Sequence, residues 1–451
     1  MEEMDDKKVI DIRNNNDNEL AKMQKQSTKN MSWQKYFMYK VNNKGEYEGL
    51  KSTSKKNVLL ILNNDKHLKG LFKYNEFTQN VDVSRDETID LTKFGAGKIS
   101  FNHGSLRDID INNLGVFFES YPDYHVTFKS QLISDAVDAS AAQHSYNPVV
   151  DYMNNCLKNW DHKKRIDDFL PTYLGADKNE INTLIIHQWL MGAVAKAYNP
   201  NTKFDLVLDL VGGQGAGKTT LLRKLAPLGL YTDQFNRFDD KDDFEVMKNA
   251  LIVNDDEMTA SNKSSFEIIK KFITMQVFEY RKSYGRHAER FPKKFVISRT
   301  TNEIQHLKDR SGDRRFMSIL VNKDKQKKHP VTDLDSDYIN QIWGEAVYLF
   351  KQAKHPFDLT DKQEKLLSES RENFVSTTEL EEQLRDILDD KFPDYKFIET
   401  KKLAFQLYGV EDGFMQNRKD YQTIKYYMEH MGYKETRIRR DNKRTRGFVK
   451  S

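Results

Sequence analysis

The segment that decides the fold is Asp209–Leu225, DLVGGQGAGKTTLLRKL. It continues an apolar run from Phe204 that predicts a buried strand, turns at several glycines, and goes on as a predicted helix from Thr220. The turn, Gly212-Gly213-Gln214-Gly215-Ala216-Gly217-Lys218-Thr219, matches the pattern G-x-x-x-x-G-K-[ST]. A strand, a glycine turn and a helix in this order predict a phosphate-binding loop. The alternative is a glycine turn that binds no ligand, which this context disfavours.

Each residue type in the loop has a physical reason to be there. Glycines let consecutive backbone N–H groups face an anion, and the start of a helix places its positive dipole end at the same point. We expect Lys218 to neutralise the β- and γ-phosphate oxygens of ATP, and Thr219 to bind Mg²⁺ through its hydroxyl. The predicted nucleotide-binding set therefore runs from Gly212 to Thr220.

A second strand is predicted within residues 250–258, ALIVNDDEM, which ends in three consecutive acidic residues. ATP hydrolysis requires carboxylates that hold the metal ion and a residue that polarises the attacking water. We expect Asp255 and Asp256 to contribute to the metal shell and Glu257 to act as the base, although the pattern leaves open which acid has which role. The alternative is a solvated acidic turn. Because Asp255 follows Lys218 by only 37 residues in one α/β segment, the metal-binding interpretation is favoured.

A third polar strand end follows the predicted strand FVIS, residues 295–298. Asn302 lies just beyond it, and its amide is expected to orient the attacking water. The competing interpretation is an asparagine that simply favours a turn.

Two adjacent arginines precede the next predicted strand, in SGDRRF, residues 311–316. Arginines at such a position are usually surface salt-bridge partners. In a ring of ATPases, however, an arginine of one subunit can reach the γ-phosphate bound by its neighbour. We expect Arg314 to have this role, with Arg315 as the second candidate.

Composition excludes several classes of protein. A chain of 451 residues predicts two to four domains, and 72 basic against 68 acidic side chains give a net charge of only +4, which argues against a general nucleic-acid coat protein. The single cysteine, Cys156, excludes an internal disulfide and a cysteine zinc site, and the eleven histidines show no HExxH spacing. No apolar run approaches 18 residues and the N-terminus is acidic, so we expect a soluble, cytoplasmic protein without a membrane span or signal peptide.

The predicted fold class is α/β, with a P-loop ATPase core of parallel strands and flanking helices, because strand and helix patterns alternate around the loop. The predicted divisions are a disordered segment (1–30), an N-terminal α/β accessory domain (31–130), a helical region (131–200), the ATPase core (201–325), a helical linker (326–375) and a winged-helix DNA-binding domain (376–451).

The C-terminal prediction depends on a concentration of positive charge in a folded pattern. Residues 434–450 contain eight basic and two acidic side chains, a local net charge of +6. Helices followed by a strand, the turn DNKR and a second strand are typical of a winged helix, whose helix at residues 422–431 would enter the major groove while the wing at 441–446 contacts the DNA backbone or minor groove. The predicted DNA-contacting residues are Arg437, Arg439, Arg440, Lys443, Arg444 and Arg446.

The alternative for the same segment is a nonspecific basic tail. The apolar residues Ile438, Phe448 and Val449, which are interleaved with the arginines, favour a folded strand pair with one buried face.

The chain resembles the virulence-associated E family, the superfamily 3-like AAA+ helicases of phages and pathogenicity islands. The resemblance is carried, in chain order, by GGQGAGKTT, LIVNDDEM, SYGR, ISRTTN and SGDRRF. The region before the ATPase in that family is similar to three segments of this chain: Asn57-Val58-Leu59 through LKGLFKYNEF (68–77), NPVVDYM (147–153) and NWDHKKRIDDFLPTYLGA (159–176). The resemblance covers about residues 33–325. One departure is Arg299, where relatives usually carry a glycine before Thr-Thr-Asn. The resemblance implies an AAA+ core, a hexameric ring and translocation on DNA, with 3′→5′ polarity expected.

The resemblance also implies a role for residues 276–298, QVFEYRKSYGRHAERFPKKFVIS, whose alternation and Ser-Tyr-Gly turn predict a β-hairpin. In helicases of this type, a hairpin at this position projects into the central channel. Lys282, Arg286 and His287 at its tip would follow DNA phosphates without reading sequence. The alternative is a solvated basic loop.

Together these features predict an ATP- and Mg²⁺-dependent DNA helicase of a mobile genetic element that recognises its replication origin through the C-terminal domain. Its expected partners are single- and double-stranded DNA, further copies of the chain, most simply in a hexamer, and host replication proteins. Two alternatives remain: a DNA-translocating ATPase that does not separate strands, and a DNA-binding regulator switched by nucleotide. The water-activating set of Glu257, Asn302 and the arginine pair argues against a pure switch.

Overall fold

The computed structural model describes residues 33–281, 288–307, 314–375, 379–393, 395–409, 424–425, 427–429, 431–440 and 443–450. The predicted disordered segment 1–30 lies outside these ranges, as do the hairpin-tip residues Lys282, Arg286 and His287 and positions 422, 423, 426 and 430 of the predicted helix 422–431.

The N-terminal region folds around its own hydrophobic core. Its helices are α1 (Lys55–Asn64), α2 (Asp108–Ser120) and α3 (Ser130–Ala141), and its strands are β1 (Tyr39–Val41), β2 (Tyr47–Leu50), β3 (Phe72–Asn75), β4 (Asn80–Val83), β5 (Glu87–Asp90), β6 (Lys98–Phe101), β7 (Gly104–Ser105) and β8 (Ser145–Tyr146). The strands form a sheet of order β7-β4-β3-β8 and two hairpins, β1–β2 and β5–β6. Because α3 buries Ile133, Ala136 and Val137 in the same core as Phe117, this core extends beyond residue 130.

The apolar run at 57–62 lies in α1. Ser54 caps that helix by accepting the backbone N–H of Asn57, and one helical face buries Val58, Ile61 and Leu62.

Three helices connect this region to the central sheet: α4 (Pro148–Lys158), α5 (Ile166–Leu174) and α6 (Glu180–Tyr198). α6 is apolar on most of its surface and is correspondingly buried over its second half. It packs directly on the sheet, where the indole Nε1 of Trp189 donates to the carbonyl of Ile297 at 2.9 Å. The predicted helical character of residues 131–200 is thus observed, apart from the short strand β8.

The central sheet has five parallel strands in the order β10-β11-β14-β9-β15. They are β9 (Val207–Val211), β10 (Tyr231–Thr232), β11 (Ile252–Asp255), β14 (Val296–Thr301) and β15 (Phe316–Leu320). β14 lies between the strand that leads into the glycine loop and the strand that leads into the acidic residues. Since parallel strands end at the same edge, the glycine loop, the acids and Asn302 are brought together there.

Helices cover both faces of this sheet, which confirms the predicted α/β class with a parallel sheet. They are α7 (Lys218–Leu225), α8 (Lys241–Met247), α9 (Thr259–Lys263), α10 (Phe266–Thr274), α11 (Pro330–Asp333), α12 (Ser336–Gln352) and α13 (Asp361–Glu372). Leu208 and Leu210 pack into a core with α6, α7 and α12, whereas Val207 and Val211 face a second core built largely of phenylalanines, including Phe272. Among the described residues, none of the helices is both long enough and apolar enough to cross a membrane.

An antiparallel pair, β12 (Val277–Tyr280) and β13 (Glu289–Pro292), forms the base of the predicted hairpin. Phe278 and Phe291 are cross-strand partners, and Phe278 stacks on Phe244 with a distance of 4.5 Å between ring centroids. The base of the hairpin therefore packs in the aromatic core on one face of the sheet.

The C-terminal region has a separate small core. Its elements are α14 (Glu379–Lys391), β16 (Ile398–Glu399), α15 (Thr400–Tyr408), β17 (Tyr433–Arg440) and β18 (Lys443–Lys450). The strands form an antiparallel sheet of order β16-β18-β17. Leu384, Leu403, Met428 and Phe448 are buried between this sheet and the helices.

Candidate nucleotide-binding site

The glycine loop has a backbone shape that side chains would not tolerate. Gly212, Gly215 and Gly217 have φ values of 153°, 79° and 80°. A Cβ added at Gly212 would lie 2.4 Å from the carbonyl oxygen of Val321, and one at Gly217 would lie 2.9 Å from Pro330 Cγ. Gly213 has open space around it, and the segment 213–215 is exposed. The loop thus presents its backbone to solvent at the start of α7, which begins at Lys218 rather than at Thr220.

Lys218 places its ammonium inside this loop. Its Nζ donates to the carbonyls of Gly212 at 2.6 Å and Gly213 at 3.2 Å, and to Oδ1 of Asn302 at 3.0 Å. Burial lowers the pKa of Lys218, while the carboxylates of Glu257 and Asp256 act in the opposite direction. The ammonium therefore connects the loop to the end of β14.

The two adjacent aspartates at the end of β11 face different surroundings. Oδ1 of Asp256 accepts the hydroxyl of Thr219 at 2.6 Å, whereas the carboxylate of Asp255 accepts the backbone N–H groups of Ala260 at 2.8 Å and Ser261 at 2.9 Å. Burial raises the pKa of Asp255, although these hydrogen bonds oppose it. These hydrogen bonds direct the carboxylate of Asp256 at Thr219 of the glycine loop and that of Asp255 at the backbone after the turn.

Glu257 and Asn302 meet across the same edge of the sheet. Nδ2 of Asn302 lies 3.4 and 3.3 Å from Oε1 and Oε2 of Glu257, while its Oδ1 accepts from Lys218. Glu257 itself has a left-handed backbone, φ 51° and ψ 26°, and Met258 follows with φ 50°. Two consecutive non-glycine residues in this region represent backbone strain of the kind found at functional sites.

The residues present fit a nucleoside triphosphate with Mg²⁺. The loop leaves an exposed backbone rim free of side chains at Gly213 and Gly215, backed by the ammonium of Lys218. Thr219 and Asp256 provide a hydroxyl and a carboxylate in direct contact, the hard oxygen donors that Mg²⁺ prefers. Gln214, Ala216 and Thr220 complete the predicted set, with Gln214 exposed on the rim and Ala216 buried beneath it.

The two predicted arginines lie at the other edge of the sheet. Arg314 is exposed, whereas Arg315 is half-buried, with its Nε 3.6 Å from Oδ2 of Asp205. The backbone carbonyl of Arg315 accepts the N–H of Val207, the first residue of β9. The length of β9 therefore separates the two arginines from Gly212 by about 16 Å, at a rise of about 3.3 Å per residue. Within one chain, the structure does not bring these arginines to the glycine loop.

Arg299, the residue that departs from the resembled family, is buried in an ion pair. Its Nε and Nη2 lie 2.7 and 2.6 Å from Oδ1 and Oδ2 of Asp209, and Nε2 of His306 lies 3.0 Å from the same Oδ2. Burial alone would raise the pKa of Asp209, but Arg299 and His306 outweigh it and hold the pKa below its usual value. Arg299 thus links β14 to β9 next to the site.

Sequence reasoning did not single out Thr300 or the segment that follows β15. Thr300 lies on the same face of β14 as Ser298, and its hydroxyl donates to Oδ1 of Asp256 at 2.7 Å. Beyond β15, Gln326 donates to the carbonyl of Ala216 at 2.7 Å, and Nζ of Lys323 is 3.6 Å from the position a Gly215 Cβ would occupy. The alternation of polar residues at 298, 300 and 302 and the basic run KDKQKKH after β15 were the available signals.

The strand pair β17–β18 carries four exposed arginines on one face. The register makes Arg437 the partner of Arg446 and Arg439 the partner of Arg444. Arg446 also contacts Glu435. Of the remaining predicted DNA-contacting residues, Arg440 and Lys443 form the outermost backbone pair. Directly opposed like charges destabilise a strand pair, so this face is suited to bind an anion.

Comparisons with known proteins match part of the chain. The family model of the virulence-associated protein E-like domain matches residues 153–376. None of the curated proteins matches. Among solved structures, an A-form apo structure of the NrS-1 C-terminal region (305–718) is 17% identical, with 67% of this chain and 75% of that chain covered and a TM-score of 0.35. An apo structure of the same region is 13% identical, with 84% and 96% covered and a TM-score of 0.37.

Proposed function

For a chain that carries a virulence-associated protein E-like domain at residues 153–376, we propose the function of an ATP-driven DNA helicase in the replication of a mobile genetic element. The observation that carries this proposal is the convergence of three groups at one sheet edge. Lys218, Glu257 and Asn302 are joined by direct contacts there, next to the glycine loop. These groups are the ones that ATP hydrolysis requires.

Each residue has a defined part in the proposed reaction. The loop amides and Lys218 would hold the phosphates, and Thr219 with Asp256 would hold Mg²⁺, which when bound neutralises phosphate charge. Glu257 would accept the proton of the attacking water. Asn302 would keep the Glu257 carboxylate and the Lys218 ammonium at fixed positions, because it contacts both. We assign this core to the AAA+ class.

The position of the arginines supports a ring in which subunits complete one another's sites. Arg314 is exposed at the sheet edge opposite the glycine loop, so only a neighbouring chain could place it on the bound phosphates. Arg315 is held by Asp205 and by its backbone bond to Val207, which suits a residue that positions Arg314. We therefore propose a head-to-tail homo-oligomer, most simply a hexamer.

A mixing experiment tests this arrangement. Lys218→Ala and Arg314→Ala proteins should each lack ATPase activity, but a mixture with exchanged subunits should recover up to roughly a quarter of the wild-type rate. Recovery is expected because some interfaces pair an intact Lys218 with an intact Arg314. If mixed oligomers form and no activity returns, the arginine does not act between subunits.

We further propose that the C-terminal region is a winged helix that binds origin DNA. The sheet order β16-β18-β17, packed against α14 and α15, supports this assignment. The four-arginine face of β17–β18 would serve as the wing against the phosphate backbone. The hairpin β12–β13 would contact DNA in the ring channel through its tip, residues 282–287, which lie outside the described residues.

The wing makes a specific prediction about salt dependence. In the full chain, Arg439→Ala/Arg444→Ala should weaken duplex binding and reduce the slope of log K against log salt by about 2, since each lost phosphate contact removes about 0.9. The matched control is Lys434→Ala, because Lys434 is exposed on the other face of β17. Fluorescence anisotropy from 50 to 200 mM salt measures the slopes. Equal slopes for the double variant and the wild type would contradict the assignment.

Strand displacement on a fluorescent forked duplex tests the helicase function. With ATP and Mg²⁺ the wild type should separate the strands, and forks with only a 3′ or a 5′ tail should then show the expected 3′→5′ direction. ATP hydrolysis without displacement would instead favour a duplex translocase. DNA binding that responds to ATP without its hydrolysis would favour a nucleotide-switched regulator.

A further inference from the structure

We infer that Thr300 is a positioning residue for ATP hydrolysis, whose hydroxyl holds Asp256 and Glu257 in their working geometry. The inference rests on the proposed ATPase function and extends it to a residue on the neighbouring strand. Thr300 is fully buried on β14, next to the acidic end of β11. It is therefore placed to act through those acids rather than on a ligand.

One hydroxyl makes both contacts at once. Oγ1 of Thr300 donates its hydrogen to Oδ1 of Asp256 at 2.7 Å and accepts the backbone N–H of Glu257 at 3.1 Å. A threonine hydroxyl has one hydrogen to donate and two lone pairs, so these bonds do not compete. Thr300 thus links the side chain of the proposed metal ligand to the backbone of the proposed base.

The backbone around Glu257 needs such a link. Glu257 and Met258 both have left-handed conformations, with φ of 51° and 50°. Residues with a Cβ adopt this region only where surrounding contacts enforce it. The bond from the Glu257 amide to Thr300 lies within this strained turn. This conformation directs the Glu257 carboxylate at Asn302, with 3.3 Å between Oε2 of Glu257 and Nδ2 of Asn302.

The opposite side of the same strand offers a matched control. Thr301 is also a buried threonine of β14, but its hydroxyl accepts the backbone N–H of Glu303 at 3.1 Å. No contact of its hydroxyl with Asp256 or Glu257 is found among the described residues. Replacing each threonine by valine removes a hydroxyl while keeping the branched shape.

The test compares steady-state ATP hydrolysis by the full-length wild type, Thr300→Val, Thr300→Ser and Thr301→Val. Thr300→Val should lower kcat about 10- to 100-fold, because a displacement of about 1 Å at a catalytic group has effects of this size. Its KM for ATP should stay within about twofold of the wild type, since Lys218 and the loop are unchanged. Thr300→Ser and Thr301→Val should hydrolyse ATP at close to the wild-type rate.

Hydrogen exchange provides a readout that does not depend on activity. Mass spectrometry of a peptide that contains Glu257 should show faster amide exchange in Thr300→Val than in the wild type, with protection retained in Thr300→Ser. Binding of the fluorescent analogue mant-ATP checks that each variant is folded at the nucleotide site.

The outcomes separate this inference from the function beneath it. A wild type that binds mant-ATP but never hydrolyses ATP would refute the proposed function and the catalytic part of the inference together. An active wild type with an equally active Thr300→Val would refute the inference alone. Equal impairment of the valine and serine variants would also overturn it, because packing rather than the hydroxyl would then be responsible.

Discussion

Lys218→Ala is expected to reduce ATP hydrolysis by at least about 100-fold and to abolish strand displacement, because a charge that stabilises the transferring phosphate is lost. The ammonium of Lys218 is inside the glycine loop, 2.6 Å from the carbonyl of Gly212. A coupled assay of phosphate release and a gel or fluorescence assay of the forked duplex measure the two effects.

Two control experiments test whether the effect of Lys218→Ala is specific to the glycine loop. Lys158→Ala removes an exposed lysine from the end of α4 and should leave both activities unchanged. Duplex binding by Lys218→Ala should equal that of the wild type, because the four-arginine face lies in another region of the chain. If Lys218→Ala kept wild-type hydrolysis, the glycine loop would not be the ATP site.

Asp209→Leu is expected to lower the free energy of unfolding of the central region by about 3–5 kcal/mol. Arg299 would be left buried, 4% exposed, without the carboxylate that now contacts both of its nitrogens. Chemical denaturation followed by tryptophan fluorescence measures the loss, since the indole of Trp189 is bonded to Ile297 on the same strand as Arg299.

A double variant and a surface control identify the cause. Asp209→Leu/Arg299→Met should be more stable than Asp209→Leu, because an apolar pair of similar volume removes the unpaired buried charge. Lys362→Ala breaks an exposed ion pair of 3.0 Å with Glu180 and should change stability by less than about 1 kcal/mol. A double variant less stable than Asp209→Leu would show that the polar cluster itself is required.

The same cluster predicts a pH dependence. The pKa of Asp209 in the folded protein is lower than its usual value, so its ionised form stabilises the fold. This contribution is fully present above about pH 4, the ordinary pKa of an aspartate, and declines as the pH falls toward the lower folded pKa. Asp209→Leu should therefore lose less stability on acidification than the wild type does.

Local sequence patterns were sufficient for the loop and the class of fold. Gly212 to Thr219 could be predicted because a strand, a left-handed glycine turn and a helix are each encoded by neighbouring residues. The parallel α/β core followed from alternating strand and helix patterns. The winged helix, the ring and the metal site remain predictions.

The division of roles at the end of β11 required the folded structure. The sequence shows three adjacent acids, and only the order of the strands reveals that Asp256 faces Thr219 while Asp255 turns to the amides of Ala260 and Ser261. Thr300 was not recognised for a related reason: its partners lie more than 40 residues away in the chain, just after a strand that becomes its neighbour only in the sheet.

The sequence by itself determined the glycine loop between a strand and a helix, the acidic strand end, the basic C-terminus and the family resemblance, because each is a pattern of residues close together in the chain. Only the tertiary structure decided that Arg299 is neutralised by Asp209, that Thr300 joins the two acids, and that Arg314 lies at the sheet edge away from its own loop. Those facts depend on which strands are neighbours and on their direction. Both are set by the packing of the whole core, in which residues about 90 positions apart in the chain come into contact.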